Sequence, residues 1–414
     1  MPAFKVLIVG AGPVSLVAGH CLAHAGIDFE ILERQDDFDL NVGASTALWP
    51  ESARILDQLG LLEEARTLRI PYHSKVCIHS DGSLISRSRM LEAVEELHGH
   101  PWMLFHRGDL VDLLRRRLPE SSGRIHTGKA VQSIQTTDEN ATLTCADGTT
   151  HTGSMILGID GVNSTVRRLM TPKLKSTSTG MNMKTSYVGL YGHSAFIPGG
   201  AMEEGCFYET HGPDITFQVG VAAPVDRCYF GCFKRLPQPI TSTNATQKTF
   251  TEAEKDAFAA SLADVHTTTT LTLRDLYSRA QWTHMAYIEE GIADSWFSDR
   301  IVLAGDAAHR MTPNAGLGLN CGIQSVVVLV NHLRRLLLQQ PEPGSEALMG
   351  VFRAYEATRR KPATEMVKVS ATAMRAPAWR NQVWRFVDQY VLPRIGGDMV
   401  VLSGSVFRLV LYGS

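Results

Sequence analysis

Apolar positions along the chain follow two different periods, and the period changes mark its organisation. Residues 4–9, Phe4-Lys5-Val6-Leu7-Ile8-Val9, form a short β-branched run that reads as a buried parallel strand. A glycine turn, Gly10-Ala11-Gly12, follows directly. Helical spacing then runs to Ala25, and a second strand, 29–32, ends in Glu33-Arg34. Two later apolar runs, 155–159 and 301–304, also break at a carboxylate beside a glycine: Asp160-Gly161 and Gly305-Asp306. A Gly-rich loop and a long apolar helical pattern over 322–338 follow the last of these. Residues 50–62 read as an amphipathic helix, and another opens at His106-Arg107 and runs to Leu118.

The texture differs between 184 and 236. Alternating runs at 186–196, 206–209, 215–221 and 227–233 are separated by Gly and Pro turns, which predicts an inserted antiparallel sheet with one face exposed. Residues 72–86 read as a hairpin turning at Asp81-Gly82. A helix is expected at 252–262 and a strand at 280–288. The stretch 347–414 reads as mostly helical, with breaks at Pro362, Pro377 and Pro393. The expected fold is α/β (α+β overall): a Rossmann-like domain, an inserted antiparallel-sheet substrate domain and a helical C-terminal segment. The boundaries read as 1–73, 101–180 and 285–345 for the nucleotide domain, 74–100 and 181–284 for the substrate domain, and 346–414 for the C-terminal segment.

Composition narrows the picture. The 414 residues suffice for two or three packed units. A net charge of −2 with no basic stripe argues against nucleic acid. The seven cysteines are scattered without metal or disulfide spacing, which predicts a reducing, cytoplasmic setting and no metal. Cys228 and Cys232 fall on one side of a strand and read as core. No run reaches the ~18–20 uninterrupted apolar residues of a spanning helix. The apolar residues between 399 and 412 read as a docking helix, with weak peripheral contact to an internal membrane as the alternative. Oligomeric state is not legible.

The first turn sits in its required context of strand, glycine turn, helix, strand and acid. Gly10 permits the turn, Gly12 lets a pyrophosphate approach, and Glu33 can accept from ribose hydroxyls. Ser15 stands where a third glycine is usual. Asp306, at a strand's carboxyl end, can accept from a ribose-type hydroxyl. Arg107, at a helix start, can meet a phosphate or remain a surface residue. Asp160 with Arg167 and Arg168 can face cofactor phosphates or simply form a capped helix.

Taken together, Gly10-Ala11-Gly12 with Glu33-Arg34, Gly158-Ile159-Asp160-Gly161, and Gly305-Asp306 resemble the class A FAD-dependent monooxygenases of the para-hydroxybenzoate hydroxylase fold. Gly43-Ala44-Ser45 and His309-Arg310-Met311-Thr312-Pro313-Asn314 are similar to the fungal branch that epoxidises or hydroxylates terpenoid intermediates. The resemblance implies FAD as cofactor and NAD(P)H and O2 as co-substrates, with oxygen transfer through a flavin C4a-hydroperoxide to a bulky apolar natural-product intermediate. It implies FAD contacts at Gly10, Gly12, Glu33, Arg34, Gly43, Ala47, Arg107, Asp160, Asp306, Gly318, Leu319 and Asn320. Leu317, Leu319 and Gln324-Ser325-Val326 depart from the family's usual residues around the ring. His309 is expected in a hydrogen-bonded structural role. Tyr187, Tyr191, Tyr208 and His211 are the polar groups the insert offers, and Tyr187 and Tyr208 are the expected catalytic-site residues. Two alternatives stay open: a phenol hydroxylase or dearomatising enzyme, and a flavin-binding protein that performs a non-oxidative cyclisation.

Overall fold

The computed structural model describes residues 4–38, 43–69, 72–170, 183–195, 197, 202–222, 227–241, 248–379 and 381–391. The apolar stretch at 399–412 lies outside them. Among the described residues, a six-stranded sheet runs in the order Phe297–Ser298, Ile301–Leu303, Met155–Gly158, Lys5–Val9, Asp28–Leu32, Ile125–His126. All its pairs are parallel except the first. Strands such as Lys5–Val9 and Met155–Gly158 are buried nearly throughout, which is why they read as continuous apolar runs.

The second large sheet has eight strands, with Ala280–Ile292, Lys184–Ala195, Arg227–Ile240, Ile215–Ala222 and Cys206–Gly212 at its centre. It is not wholly antiparallel: Ser74–His79 lies parallel to Cys206–Gly212. Nor is one face exposed, as the alternation implied. Val76, Ile78, Tyr208, Phe217 and Cys232 pack on one side with Phe258, Leu273 and Leu276 of two short helices and with Leu262 between them. The other side faces inward, over a cavity. The helix Glu252–Ala260 starts at a capping box formed by Thr251 and Glu254.

Three helical expectations change. The 50–62 pattern is two helices, Pro50–Gln58 and Leu62–Leu68, divided at Gly60 with φ +71°. Ser345–Arg375 runs unbroken through Pro362. A proline removes one N–H, but Leu348, Phe352, Tyr355, Ala363, Met366 and Met374 bury one face along the whole helix and outweigh the loss. Leu317–Gln339 begins five residues earlier than the periodicity indicated and is long and apolar enough to cross a membrane by length and composition. Its apolar side instead packs in the core, through Ile323, Val326, Leu329 and Leu333.

Arg300 ties this core together. It is 1% exposed, and its guanidinium donates to the carbonyls of Thr137, Asp138, Ser154 and Pro343. A hairpin, a strand start and a linker thus converge on one side chain. Arg300→Ala is expected to cost about 3 kcal/mol or more, because buried carbonyls lose a charged donor. A urea titration of the variant checks this; an unchanged midpoint contradicts it.

Candidate active site

The parallel sheet delivers three turns to the carboxyl ends of adjacent strands, where open α/β sheets bind ligands. They touch. A Cβ on Gly10 would lie 2.8 Å from the Ile159 carbonyl oxygen and 3.0 Å from the Asp160 Cα, and Gly10 has φ +98°. Only glycine fits there without strain. Gly305 lies against Ile159 and Val14, and Gly322 against Val14 and Gly305. Ser15 is fully buried and its Oγ donates to the Ile159 oxygen at 3.4 Å, so the serine adds a link between the first two turns. Arg167 does not reach outward. Its buried guanidinium donates to Ala307 O (2.8 Å) and Val162 O (2.9 Å), joining the second turn to the third. Burial lowers its pKa to about 10, against the pull of Asp160. Arg168 donates to Thr165 Oγ1 within its own helix.

The anticipated residues fall into groups. No atom would come within 4 Å of a Cβ on Gly12, and the helix Pro13–His24 starts there. Its first N–H groups therefore border open space suited to a diphosphate. Glu33 accepts from Ala11 N (2.8 Å) and Gln35 N (3.0 Å), which fixes its carboxylate beside the glycine turn. The Arg107 side chain packs across Gly43, 3.2 Å from the position of a Cβ there, and feels the charge of Glu33. Burial by neighbouring segments lowers the Arg107 pKa. These observations fit FAD: an open helix start, an oriented acid and a nearby cation surround one space.

Arg34 is exposed and forms no ion pair among the described residues. Asp160 is a helix cap, accepting from Ser164 Oγ, Thr165 N and Val166 N. Both of its oxygens are engaged there, as the capped-helix reading expects. Asn320 is also turned inward. It accepts from Trp49 N (2.9 Å) and donates to Ala47 O (3.0 Å) and Gly316 O (2.7 Å). Its side chain therefore pins the Ser45–Leu48 strand to the loop rather than facing a ligand. His309 is buried, bonded to Ser325 Oγ, and burial with the Arg359 charge lowers its pKa to about 3.

Ala47, Asp306, Gly318 and Leu319 line a cavity of about 970 Å³ between the turns and the inner face of the eight-stranded sheet. Trp102, Phe207, Tyr229, Phe233, Met285 and Leu317 give it an apolar, largely aromatic wall. Tyr191 and His211 reach this wall; Tyr187 and Tyr208 do not. Tyr208 points to the opposite face of its strand, into the core with Val76 and Phe217, because strand side chains alternate. Tyr187 is sealed beneath Met374 and Ala378. Sequence reasoning also missed a polar group on the cavity wall. Lys75 pairs with Glu209 (2.8 Å), His211 bridges Glu209 (3.3 Å) and Asp388 (2.7 Å), and Gln218 donates to Glu209 and to Asn314 O. Burial opposes charge on His211, but Cys77, Asp388 and Glu209 outweigh it and raise its pKa. Burial likewise opposes ionisation of Glu209, yet Lys75 and His211 hold its pKa low. Parity along 206–212 groups Phe207, Glu209 and His211 on one face but does not mark that face as the cavity's.

Comparison with known proteins places this geometry. A family model described as "FAD binding domain" matches residues 3–370. The FAD-dependent monooxygenase srdH of Neurospora crassa is 33% identical, over 94% of this chain and 90% of its own length. The chain belongs to the FAD-dependent monooxygenases. The FAD-dependent monooxygenase nvfK of Aspergillus novofumigatus is 28% identical, over 97% of this chain and 86% of its own. The crystal structure of Klebsiella pneumoniae HpxO complexed with FAD and uric acid shares the fold, with a TM-score of 0.74, 19% identity and coverage of 97% and 98%. This monooxygenase therefore binds FAD.

Burial raises the Asp306 pKa to about 6, while Arg167 pulls it down. A folded-state value above the unfolded one means that folding opposes ionisation. Flavin-free protein then loses stability as pH rises from about 4 to about 6, and carries the full penalty above that. Asp306→Asn removes the penalty. The variant's melting temperature is expected to exceed the parent's at neutral pH, with the gain vanishing near pH 4. A gain that grows towards low pH contradicts this.

Proposed function

We propose that this monooxygenase transfers one oxygen atom from O2 to a bulky, apolar natural-product intermediate, by epoxidation or hydroxylation, with NAD(P)H as reductant. The proposed domain division is residues 1–73, 101–180 and 285–345 for FAD, 74–100 and 181–284 for substrate, and 346–414 as the C-terminal segment. Bound FAD supplies hydride acceptance and activation of O2 to an electrophilic oxygen donor. The chain supplies binding, orientation and dryness. Gly10, Gly12 and Glu33 hold the adenosine ribose and diphosphate, and Arg107, laid over Gly43, neutralises phosphate charge. Asp306 takes a ribityl hydroxyl or the pyrophosphate edge. Ala47, Gly318 and Leu319 border the ring, and Asn320 fixes the strand that carries Ala47.

The observation that carries this reading is the aromatic cavity itself, opening on the loop that bears Gly318 and Leu319. Its size suits a polycyclic or prenylated molecule beside the ring. Its aromatic stretch suits an oxygen donor that water would waste. A phenol would need a base near the ring to raise its electron density. Against burial, Lys75 and His211 hold the Glu209 pKa low, and Cys77, Asp388 and Glu209 raise that of His211, which suits neither to take a proton, whereas His284 also lines the cavity and burial lowers its pKa. An isolated alkene needs positioning alone, which the aromatic wall supplies.

Purified protein is expected to be yellow, to oxidise NADPH faster when a prenylated substrate is present, and to place one ¹⁸O atom from ¹⁸O2 in the product. A colourless protein that cannot be reconstituted with FAD, or a product without the label, overturns the proposal. Arg107→Ala is expected to weaken FAD retention by about tenfold or more, read by equilibrium dialysis. Product formation is expected to stay flat between about pH 7 and about pH 8.5; a steep rise would indicate an ionising phenol.

A further inference from the structure

The polar group on the cavity wall is out of place in a chamber built for hydrocarbon alone. Burying paired charges costs desolvation, and apolar side chains of similar volume serve stability as well or better. Lys75, Cys77, Phe207, Glu209, His211 and Gln218 nevertheless come from adjacent strands onto one sheet face. Asp388, from the segment Val387–Val391, completes the group, and the Trp379 indole also donates to it (2.8 Å). Gln218 links the group to Asn314 O at 2.9 Å, beside the Pro313–Ala315 turn that precedes the ring-bordering loop. The polar end of the cavity is therefore close to that loop, not remote from it.

We infer that the preferred substrate is not a bare hydrocarbon: one neutral oxygen of it, a carbonyl or an un-ionised hydroxyl, docks on the Lys75 ammonium at this polar end. The inference rests on the monooxygenase reading of the cavity and adds a substrate class to it. Lys75 is a cavity-wall residue with 14% of its side chain exposed, against 8% for its partner Glu209. An ammonium has three donors and no acceptor, so it selects an oxygen with lone pairs. Glu209, held by His211 and Gln218, fixes where the ammonium sits. Charge balance sets the class of that oxygen. Two carboxylates, Glu209 and Asp388, already stand on Lys75 and His211, so an added carboxylate would face acceptors of its own sign at this end, while a neutral oxygen brings no charge. A divalent cation is a poorer occupant. Ligand atoms of Cys77, Glu209 and His211 lie within 4.8 Å of one another, but the Lys75 ammonium already stands on Glu209 as the local cation.

The test uses FAD-loaded enzyme without reductant and three probes: a farnesylphenol, the matching farnesylbenzene and the matching farnesylbenzoate. Binding is read from the perturbation of the flavin absorption band. The phenol is expected to bind about tenfold or more tighter than the hydrocarbon, and tighter than the benzoate. Lys75→Met leaves Glu209 buried without its cation and risks misfolding, so the decisive variant is the double substitution Lys75→Met with Glu209→Gln, which removes both charges. It is expected to reduce the phenol-over-benzene preference to about twofold or less. Equal affinity for phenol and benzene, binding of none of the probes, tightest binding of the benzoate, or a preference that survives the double substitution overturns the inference. Oxygen incorporation is a separate readout. A missing ¹⁸O label with the binding preference intact defeats the monooxygenase reading of the reaction and leaves the docking of the oxygen standing.

Discussion

Close backbone contact between three distant turns is the constraint on which this structure depends. Gly10 rests on the peptide joining Ile159 to Asp160, and Gly305 and Gly322 close on Val14. At Gly10 peptide meets peptide, while the missing side chains of Gly305 and Gly322 leave room for that of Val14. The buried links from Ser15 to Ile159 and from Arg167 to Ala307 hold that arrangement before any ligand arrives. A cofactor spanning all three turns then meets a preformed surface and loses little freedom in ordering it. The raised pKa of Asp306 is the counterpart: the same close packing leaves its carboxylate poorly solvated.

Much of the nucleotide half was legible in the sequence because its rules are local. A strand, a glycine turn and a helix announce themselves within some thirty residues, and the second and third turns repeat the same sign of a carboxylate beside glycine. The roles inside those turns were less legible. Asp160 and Asp306 look alike on paper, yet one caps a helix through Thr165 N and Val166 N and the other faces the cavity. Asn320 sits in the loop that resemblance assigns to the ring, but its amide is used on Ala47, Trp49 and Gly316. Local pattern cannot see partners some 270 residues away.

The substrate half was harder for a different reason. Alternation divides Cys206–Gly212 into two sets but does not say which set faces the cavity, since both faces are buried. Choosing Tyr208 over its neighbours selected the wrong set, and choosing Tyr187 over Tyr191 overlooked the helix end that covers it. The charged group around Glu209 draws on Ser74–His79, Ile215–Ala222 and residue 388, which only the folded sheet assembles. Pro362 shows the opposite error. A strong local breaker is overridden when one face of a helix is packed along its full length.

That uninterrupted helix has a mechanical consequence. Part-way along it Tyr355 donates to the Leu303 carbonyl of the nucleotide sheet, and near its end Met374 wedges against Tyr187, Phe233 and Ile288 of the substrate sheet. A rigid strut bolted to both plates prevents them from swinging apart like a clamshell.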